Sequence, residues 1–359
     1  MTIAQRNSLQ AIPAYKQGAT PGEHEKAFKL SSNENPFAPL PAVTSGLAPL
    51  LGTINEYPNA AAPELLSMLA ERFDIVPENI ALGAGSVEVA GQLIHATTNP
   101  GDEVIFAWRS FEAYPILTHV AGATPVMVPL DAQGRHDLVA MAEAITERTS
   151  LIFICNPNNP TGTVVDTAAV DAFMTKVPSN VLVVIDEAYV HFNVQSDSAM
   201  GIDFFRRYPN VAVLHTFSKA YGLAGLRIGY AIAPAAIAAN LRKTAIPFGV
   251  SALAQRAAVL SLENEPQLQG RIDELVAERT TLVSALCTAG VELWDSQANF
   301  IWLTTEERTE DVDAALRAAG VWGRAFPGEG IRISIGSPEA NALVSETLIN
   351  VLQKFPAHV

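Results

Sequence analysis

The chain has 359 residues, 49% of them hydrophobic, which suffices for one large core with or without a smaller one. Its 37 acidic and 23 basic residues give a formal charge of −14, and they include no basic run. That balance argues against nucleic acid or an anionic membrane as the main partner. Two cysteines, no signal-peptide core and no long apolar run predict a cytoplasmic protein.

In chain order, residues 1–28 are polar, contain two prolines and predict an N-terminal arm. Residues 29–243 alternate short strands rich in Val and Ile with amphipathic helices, which indicates βαβ units around a mostly parallel sheet. The predicted fold class is therefore α/β, with a large three-layer αβα domain. Its predicted strands are Ile80–Leu82, Glu103–Ala107, Thr124–Pro129, Leu151–Cys155, Leu182–Asp186, Val211–Thr216 and Gly229–Ala233. Its predicted helices include Ala62–Phe73, Val87–Thr97, Asp137–Ala144 and Thr167–Lys176.

The pattern of predicted elements changes after residue 243, where long helices surround two short strands. This pattern predicts a smaller α+β domain over residues 244–359. Its predicted helices are Ser251–Leu262, Arg271–Ala289 and Asn341–Gln353, and its predicted strands are Phe300–Leu303 and Ile331–Ile335.

Polar and charged side chains follow several of the large-domain strands. In open parallel sheets ligands bind beyond the carboxyl ends of the strands, so we expect a site there. The glycine-rich turn Gly83–Ser86 opens a helix and could bind a phosphate, or it could be only a tight turn. The segment Cys155–Gly162 forms a proline-fixed turn that presents asparagine amides.

Two charged residues, one at the end of a predicted strand and one in the loop after the next, are candidate functional groups. Asp186 ends a buried strand, where a carboxylate requires a partner that is either structural or a bound cation. Lys219 lies in a glycine-rich loop between two apolar strands, where a desolvated amine can become nucleophilic. The histidines lack metal-binding spacing, so no metal is predicted.

Taken together, the motifs resemble those of fold-type I pyridoxal-phosphate (PLP) aminotransferases, in the branch of histidinol-phosphate and aromatic amino acid aminotransferases. The motifs, in family order, are Ser31–Pro36, Asn156–Gly162, Asp186–Tyr189, Ser218–Gly229 and Gly330–Ser334. The resemblance covers nearly the whole chain. It implies that Lys219 bonds covalently to PLP and shuttles a proton, and that Asp186 pairs with the pyridine nitrogen.

The resemblance also implies further roles. Asn159 and Tyr189 contact the ring hydroxyl, Phe111 stacks on the ring, and Tyr57 reaches the cofactor of a neighbouring subunit in a homodimer. The implied phosphate ligands are Ala84, Gly85, Ser86, Thr216, Ser218 and Arg227. Arg332 is expected to bind the substrate carboxylate and Arg324 a side-chain carboxylate or phosphate. Asn33 is expected at the substrate, and Tyr15 in the arm could close over it or pack on the core.

Within this branch the segment Trp108–Tyr114 favours aromatic substrates, because Phe111 stands where histidinol-phosphate enzymes usually have tyrosine. The expected reaction is ping-pong transfer of an amino group between phenylalanine, tyrosine or tryptophan and 2-oxoglutarate. Histidinol-phosphate aminotransferase and a PLP-dependent lyase or decarboxylase of the same fold remain alternatives. A PLP-binding transcription regulator would need a DNA-binding domain that the short arm cannot supply. A nucleotide-binding protein would leave Lys219 and Asp186 without a purpose.

Overall fold

The computed structural model of the protein describes residues 3, 6–10, 12–14, 18–22 and 27–354, the side chains of 352–354 excepted. The strands are β1 (Phe28–Lys29), β2 (Ile80–Gly83), β3 (Glu103–Trp108), β4 (Thr124–Pro129), β5 (Thr149–Cys155), β6 (Leu182–Asp186), β7 (Val211–Thr216), β8 (Gly229–Ile232), β9 (Phe300–Thr304), β10 (Val321–Trp322), β11 (Arg324–Phe326) and β12 (Gly330–Ser334). The helices are α1 (Asn7–Gln10), α2 (Pro41–Leu47), α3 (Pro63–Phe73), α4 (Ser86–Thr97), α5 (Ala113–Ala121), α6 (Leu138–Glu143), α7 (Thr167–Met174), α8 (Gly201–Arg207), α9 (Ala235–Thr244), α10 (Ala252–Glu263), α11 (Glu265–Thr288), α12 (Thr309–Ala318) and α13 (Pro338–Lys354).

A seven-stranded sheet forms the centre of the described part of the chain, in the order β2-β8-β7-β6-β5-β3-β4. Only β8 runs antiparallel to its neighbours in this sheet, and the remaining pairs are parallel. Helices cover both faces, because alternate strand residues point to opposite sides. On one face Phe106 and Phe153 pack in a cluster with residues of α4, α5 and α9. On the other face Ile105 and Ile152 pack with residues of α6, α7 and α8. The predicted α/β fold class is confirmed.

A second, three-stranded antiparallel sheet has the order β11-β12-β9. Helices α11, α12 and α13 pack around it within one large apolar cluster, which also contains residues of α3 and α10. The first strand of the chain joins this region, because β1 pairs in parallel with β10. The proposed division into residues 1–28, 29–243 and 244–359 stays a prediction.

Two helices begin earlier than their apolar periodicity predicts. The helix α11 begins at Glu265 and not at Arg271, and α13 begins at Pro338 and not at Asn341. Both helices have proline in the first turn, where the missing N–H leaves no hydrogen bond unmade. Polar first turns hid both starts from the hydrophobic pattern.

No helix among the described residues combines the length and apolar composition needed to cross a bilayer. Within the same residues, no three His, Cys, Asp or Glu side chains are grouped so as to hold a metal ion.

Candidate active site

A cavity of about 200 Å³ lies where the carboxyl ends of β5, β6 and β7 meet the small sheet. The end residues of these strands, Cys155, Asp186 and Thr216, all line it. The structure brings most of the sequence-predicted site residues to this cavity. Those that line it are Asn33, Ser86, Phe111, Asn159, Asp186, Tyr189, Thr216, Ser218, Lys219, Arg227, Arg324 and Arg332.

Lys219 lies in the loop after β7, with its amine inside the cavity. Its Nζ donates a hydrogen bond of 3.1 Å to the carbonyl oxygen of Ser32 and lies 5.8 Å from the ring centroid of Tyr189. Burial, together with the positive charge of Arg332, lowers the pKa of Lys219 to about 7. A substantial fraction of the amine is therefore neutral near pH 7, which is the form able to act as nucleophile or base.

Asp186 presents a buried carboxylate to the same cavity. The hydroxyl of Tyr114 donates to its Oδ2 at 2.6 Å, and the backbone N–H of Ala188 donates to Oδ1 at 3.2 Å. Burial raises the pKa of Asp186 to about 6, and the Tyr114 hydrogen bond opposes that rise. Near neutral pH the group is predominantly an anion, and its position suits a cationic ring nitrogen.

Tyr114 is a contributor that the sequence reasoning missed. It is fully buried in α5 and stacks on Phe153 at a centroid distance of 4.3 Å. A buried tyrosine hydroxyl nearly always has a polar partner, so its apolar surroundings were a usable signal. Nothing in the sequence indicated that this partner is Asp186, which lies 72 residues away.

The turn before α4 and the Arg227 side chain form a candidate anion site. Gly85 has φ 85°, and a Cβ there would overlap the guanidinium of Arg227. Arg227 Nη2 donates to the carbonyl oxygen of Ala84 at 3.2 Å, and Ala84 N–H donates to the Glu88 carboxylate. Ser86 at the start of this 12-residue helix lines the cavity. A cation and a helix N-terminus thus converge, which favours a phosphate.

Two hydroxyls complete this end of the cavity. The Thr216 hydroxyl donates to Ser218 Oγ at 3.0 Å, and the Ser218 backbone N–H donates to Thr216 Oγ1 at 3.1 Å. Both side chains line the cavity. Ala84 and Gly85 form the adjoining turn, and neither lines the cavity itself.

Asn33 and Tyr189 meet in the wall of the cavity. Asn33 Nδ2 donates to the Tyr189 hydroxyl at 3.0 Å, and Asn33 has φ 53°, a conformation that asparagine tolerates well. Ser334 Oγ accepts from Asn33 N–H at 2.8 Å and thereby fixes the turn. Burial raises the pKa of Tyr189 well above its usual range, so its hydroxyl stays protonated.

Arg332 crosses the cavity to the turn after β5. Its Nη1 donates to Asn159 Oδ1 at 2.6 Å, and its Nη2 donates to the Ser31 carbonyl oxygen at 2.7 Å. Arg324 is its register partner across β11 and β12, so both arginines point from the same face of the small sheet. Arg227, Arg324 and Arg332 all line the cavity, so anionic groups of a ligand can be bound there.

Two predicted residues lie elsewhere. Tyr57 is 81% exposed, stacks on Phe248 at 4.5 Å and does not line the cavity of this subunit. Tyr15 lies outside the described residues.

The architecture and the strand-end cavity define an aminotransferase-like α/β enzyme. The chain belongs to the family described as aminotransferase class I and II, whose model matches residues 25–348. The family resemblance drawn from the motifs is thus confirmed.

Similar proteins agree with this assignment. The chain is 54% identical over 351 residues to the aromatic amino acid aminotransferase of Streptomyces avermitilis, covering 98% of this chain and 97% of the relative. It is 53% identical to the enzyme of the same name from Streptomyces coelicolor, covering 94% of each. Among solved structures, histidinol-phosphate aminotransferase from Sinorhizobium meliloti in complex with pyridoxal-5'-phosphate superposes with a TM-score of 0.87, at 25% identity and 99% coverage of both chains.

Proposed function

We propose that this aminotransferase uses PLP to move amino groups between aromatic L-amino acids and 2-oxoglutarate. The observation that carries the proposal is the shared cavity of the Lys219 amine and the Asp186 carboxylate, with arginines at its margin. The curated relatives at about half identity are named for aromatic amino acids, which supports the substrate class.

The residues present fit PLP. The Arg227 guanidinium and the start of α4 suit its phosphate, the buried Asp186 suits its ring nitrogen, and Lys219 offers a partly neutral amine. Phe111 lines the cavity and packs edge-on against Tyr114 at 5.5 Å, where it offers an apolar face for a ring. When bound, PLP supplies an electron sink for the charge left on Cα as its proton departs.

The chain's own groups would perform the remaining work. Lys219 Nζ, with its pKa lowered to about 7, could act as the base that removes a substrate proton and as the acid that returns it. Asp186 would stabilise a positive charge at the ring nitrogen, and its hydrogen bonds from Tyr114 and Ala188 keep that carboxylate fixed. Arg332 offers a planar guanidinium to the substrate carboxylate.

Half-reactions test this proposal directly. Purified enzyme loaded with PLP is mixed with phenylalanine alone, and phenylpyruvate is measured together with carbon dioxide. We expect one equivalent of phenylpyruvate per site, no carbon dioxide, and further turnover only after 2-oxoglutarate is added. Carbon dioxide release would support the decarboxylase alternative. A higher kcat/KM for histidinol phosphate than for phenylalanine would contradict the substrate class.

We further propose a homodimer in which Tyr57 reaches the partner's cavity. The side chains Leu51, Ile54, Tyr57, Ile246 and Phe248 are 47–81% exposed and include the stacked Tyr57–Phe248 pair. Large apolar side chains grouped at a surface are typical of a protein interface. The proposed occupant is a second copy of this chain.

Sedimentation velocity tests the interface. Ile54→Glu should shift the protein towards monomer, whereas Val139→Glu should not, because Val139 is equally exposed at 72% but lies outside this group. A monomeric unaltered protein, or equal dissociation of both variants, would contradict the proposal.

Subunit complementation tests the position of Tyr57. Co-expressed Lys219→Ala and Tyr57→Ala chains form hybrids in which one site regains both native residues if Tyr57 acts across the interface. We expect activity well above that of either variant alone. If Tyr57 serves its own subunit, every hybrid site carries one lesion and activity is not regained.

We also propose a cytoplasmic location. Neither cysteine is in a disulfide, although Cys287 is exposed, and this fits a reducing compartment. Cell fractionation with activity measured in each fraction checks it, and activity confined to a membrane or secreted fraction would contradict it.

A further inference from the structure

The substrate end of the cavity contains two arginines that face each other across adjacent strands. Arg324 and Arg332 are register partners in the antiparallel pair of β11 and β12, and both line the cavity. The Cβ atoms of residues in this relation lie about 5 Å apart, and like charges on directly opposite residues repel. Each guanidinium therefore requires compensation.

The hydrogen bonds described here for the two arginines go to different kinds of acceptor. The bonds of Arg332 to Asn159 and to the Ser31 carbonyl go to neutral acceptors. Arg324 instead donates from Nη2 to both carboxylate oxygens of Glu112, at 3.0 and 3.1 Å. The pair is partly shielded from water, since the Arg324 side chain is 17% exposed and the Glu112 side chain 28%. The Glu112 carboxylate is thus already paired with the Arg324 guanidinium.

Glu112 lines the cavity, as does Phe111, which precedes it in the sequence. It lies immediately before α5, whereas Arg324 lies on the small sheet, so the pair joins the two sides of the cavity. With Glu112 in place, the Arg324–Glu112 pair has no net charge. A substrate with one carboxylate and an uncharged side chain can bind at Arg332 and leave that pair intact. A second anionic group must replace Glu112 at Arg324 or lie beside a like charge.

We propose that Glu112 sets the side-chain charge preference of this site. By occupying the Arg324 guanidinium it favours substrates with an uncharged side chain and penalises those with a side-chain carboxylate or phosphate. This inference rests on the proposed function and refines its substrate class. Glutamate and 2-oxoglutarate then bind by exchanging their distal carboxylate for that of Glu112.

Two unreactive acids serve as probes. Glutarate has a carboxylate at each end, whereas 3-phenylpropionate has one carboxylate and an uncharged ring. Their dissociation constants for the PLP-loaded enzyme are measured by titration calorimetry. Unaltered protein should bind 3-phenylpropionate more tightly than glutarate. Absence of that preference contradicts the proposal.

Glu112→Gln removes the charge and keeps the shape of the side chain. We expect glutarate to bind at least fivefold more tightly, with 3-phenylpropionate changed less than twofold. Glu329→Gln is the matched control, because Glu329 pairs with the neighbouring Arg109 and neither residue lines the cavity. Unchanged glutarate binding in Glu112→Gln, equal tightening of both probes, or the same shift in the control would overturn the proposal.

Arg324→Gln gives an independent test of the same pair. Without the cation, glutarate should bind at least fivefold more weakly relative to 3-phenylpropionate, and an unchanged ratio would overturn the proposal. Phenylalanine turnover is measured separately on unaltered protein. Its absence would contradict the proposed function, whereas the ratio of probe affinities tests Glu112 regardless of that result.

Discussion

The two ends of the cavity are built differently. At the cofactor end, Asp186 and Thr216 are the last residues of parallel strands, and Lys219 follows three residues later. At the substrate end, the pairs Glu112–Arg324 and Asn159–Arg332 join residues 212 and 173 positions apart. Backbone hydrogen bonds of the large sheet fix the first end, whereas tertiary packing assembles the second.

The two ends also differ electrostatically. Burial brings the pKa of Lys219 down to about 7 and that of Asp186 up to about 6, so both lie near physiological pH. At the end with Arg324 and Arg332, the hydrogen-bond partners of the two guanidiniums decide which anions they can bind. We therefore expect proton transfer at the end with Lys219 and Asp186, and anion binding at the end with Arg324 and Arg332.

The largest effect is expected for Lys219→Ala. The variant lacks the amine that we propose bonds to PLP and carries the proton, so kcat with phenylalanine should fall at least about a thousandfold. Steady-state kinetics measure this, and circular dichroism controls for folding. If the variant keeps a kcat within tenfold of that of the unaltered enzyme, Lys219 does not take part in the reaction as proposed.

At the substrate end, Arg332→Lys keeps the charge and loses the planar fork. We expect kcat/KM for phenylalanine to fall about 10–100-fold, the effect of losing about 1.5–3 kcal/mol of charge-assisted hydrogen bonding, mainly through KM. Arg207→Lys is the control, since Arg207 pairs with Asp171 on the surface. A loss confined to kcat would contradict the assignment of Arg332 to substrate binding.

Tyr114→Phe tests the partner that holds Asp186. Because the Tyr114 hydroxyl stabilises the carboxylate, its removal raises the Asp186 pKa above about 6. If the ionised Asp186 carboxyl pairs with the ring nitrogen as proposed, PLP binding weakens as pH falls through this pKa. We expect Tyr114→Phe to bind PLP about tenfold more weakly at pH 6.5. The acid limb of its profile of PLP affinity against pH should be shifted to higher pH.

Equilibrium binding of PLP between pH 5 and 8 measures that limb. Tyr208→Phe is the matched control, because Tyr208 also donates to an aspartate, Asp171, but outside the cavity. An acid limb that stays in place in Tyr114→Phe would show that the hydroxyl does not act on Asp186.

The smallest effect concerns Glu187, which follows Asp186 and lies behind the cavity. It accepts from Gly201 N–H at 2.6 Å, its Oε2 lies 3.3 Å from His215 Nε2, and burial raises its pKa to about 8. From pH 6.5 to 8 the folded protein keeps a proton that the unfolded chain has released. Stability contributed by this group is therefore lost as pH rises through that window.

Glu187→Gln should remove this dependence while keeping the hydrogen bond from Gly201. We expect the unaltered protein to lose about 1–2 kcal/mol relative to the variant between pH 6.5 and 8. Urea unfolding at the two pH values measures the difference. The neighbouring His215, whose pKa is lowered to about 3, is present in both proteins, so its contribution to the slope cancels from the difference between them. A constant difference between the two proteins would show that Glu187 is ionised when folded.

The sequence predicted the cofactor end well because its signals are local. Strands β4, β6 and β7 have the predicted bounds, and short motifs place Asp186 at the end of β6 and Lys219 three residues after the end of β7. No short motif identifies the partners of Tyr114 and Glu112, because only the folded chain brings those partners near. The same reason hid the pairing of Phe28–Lys29 with Val321–Trp322.

The account depends on the Lys219 amine being the point of attachment of PLP. The most direct measurement is borohydride reduction of the PLP-loaded protein, followed by proteolysis and mass spectrometry. We predict a stable pyridoxyl-phosphate adduct on the peptide that contains Lys219 and loss of the visible absorbance band. An adduct on another lysine, or no adduct on a protein that still transaminates, would contradict the account.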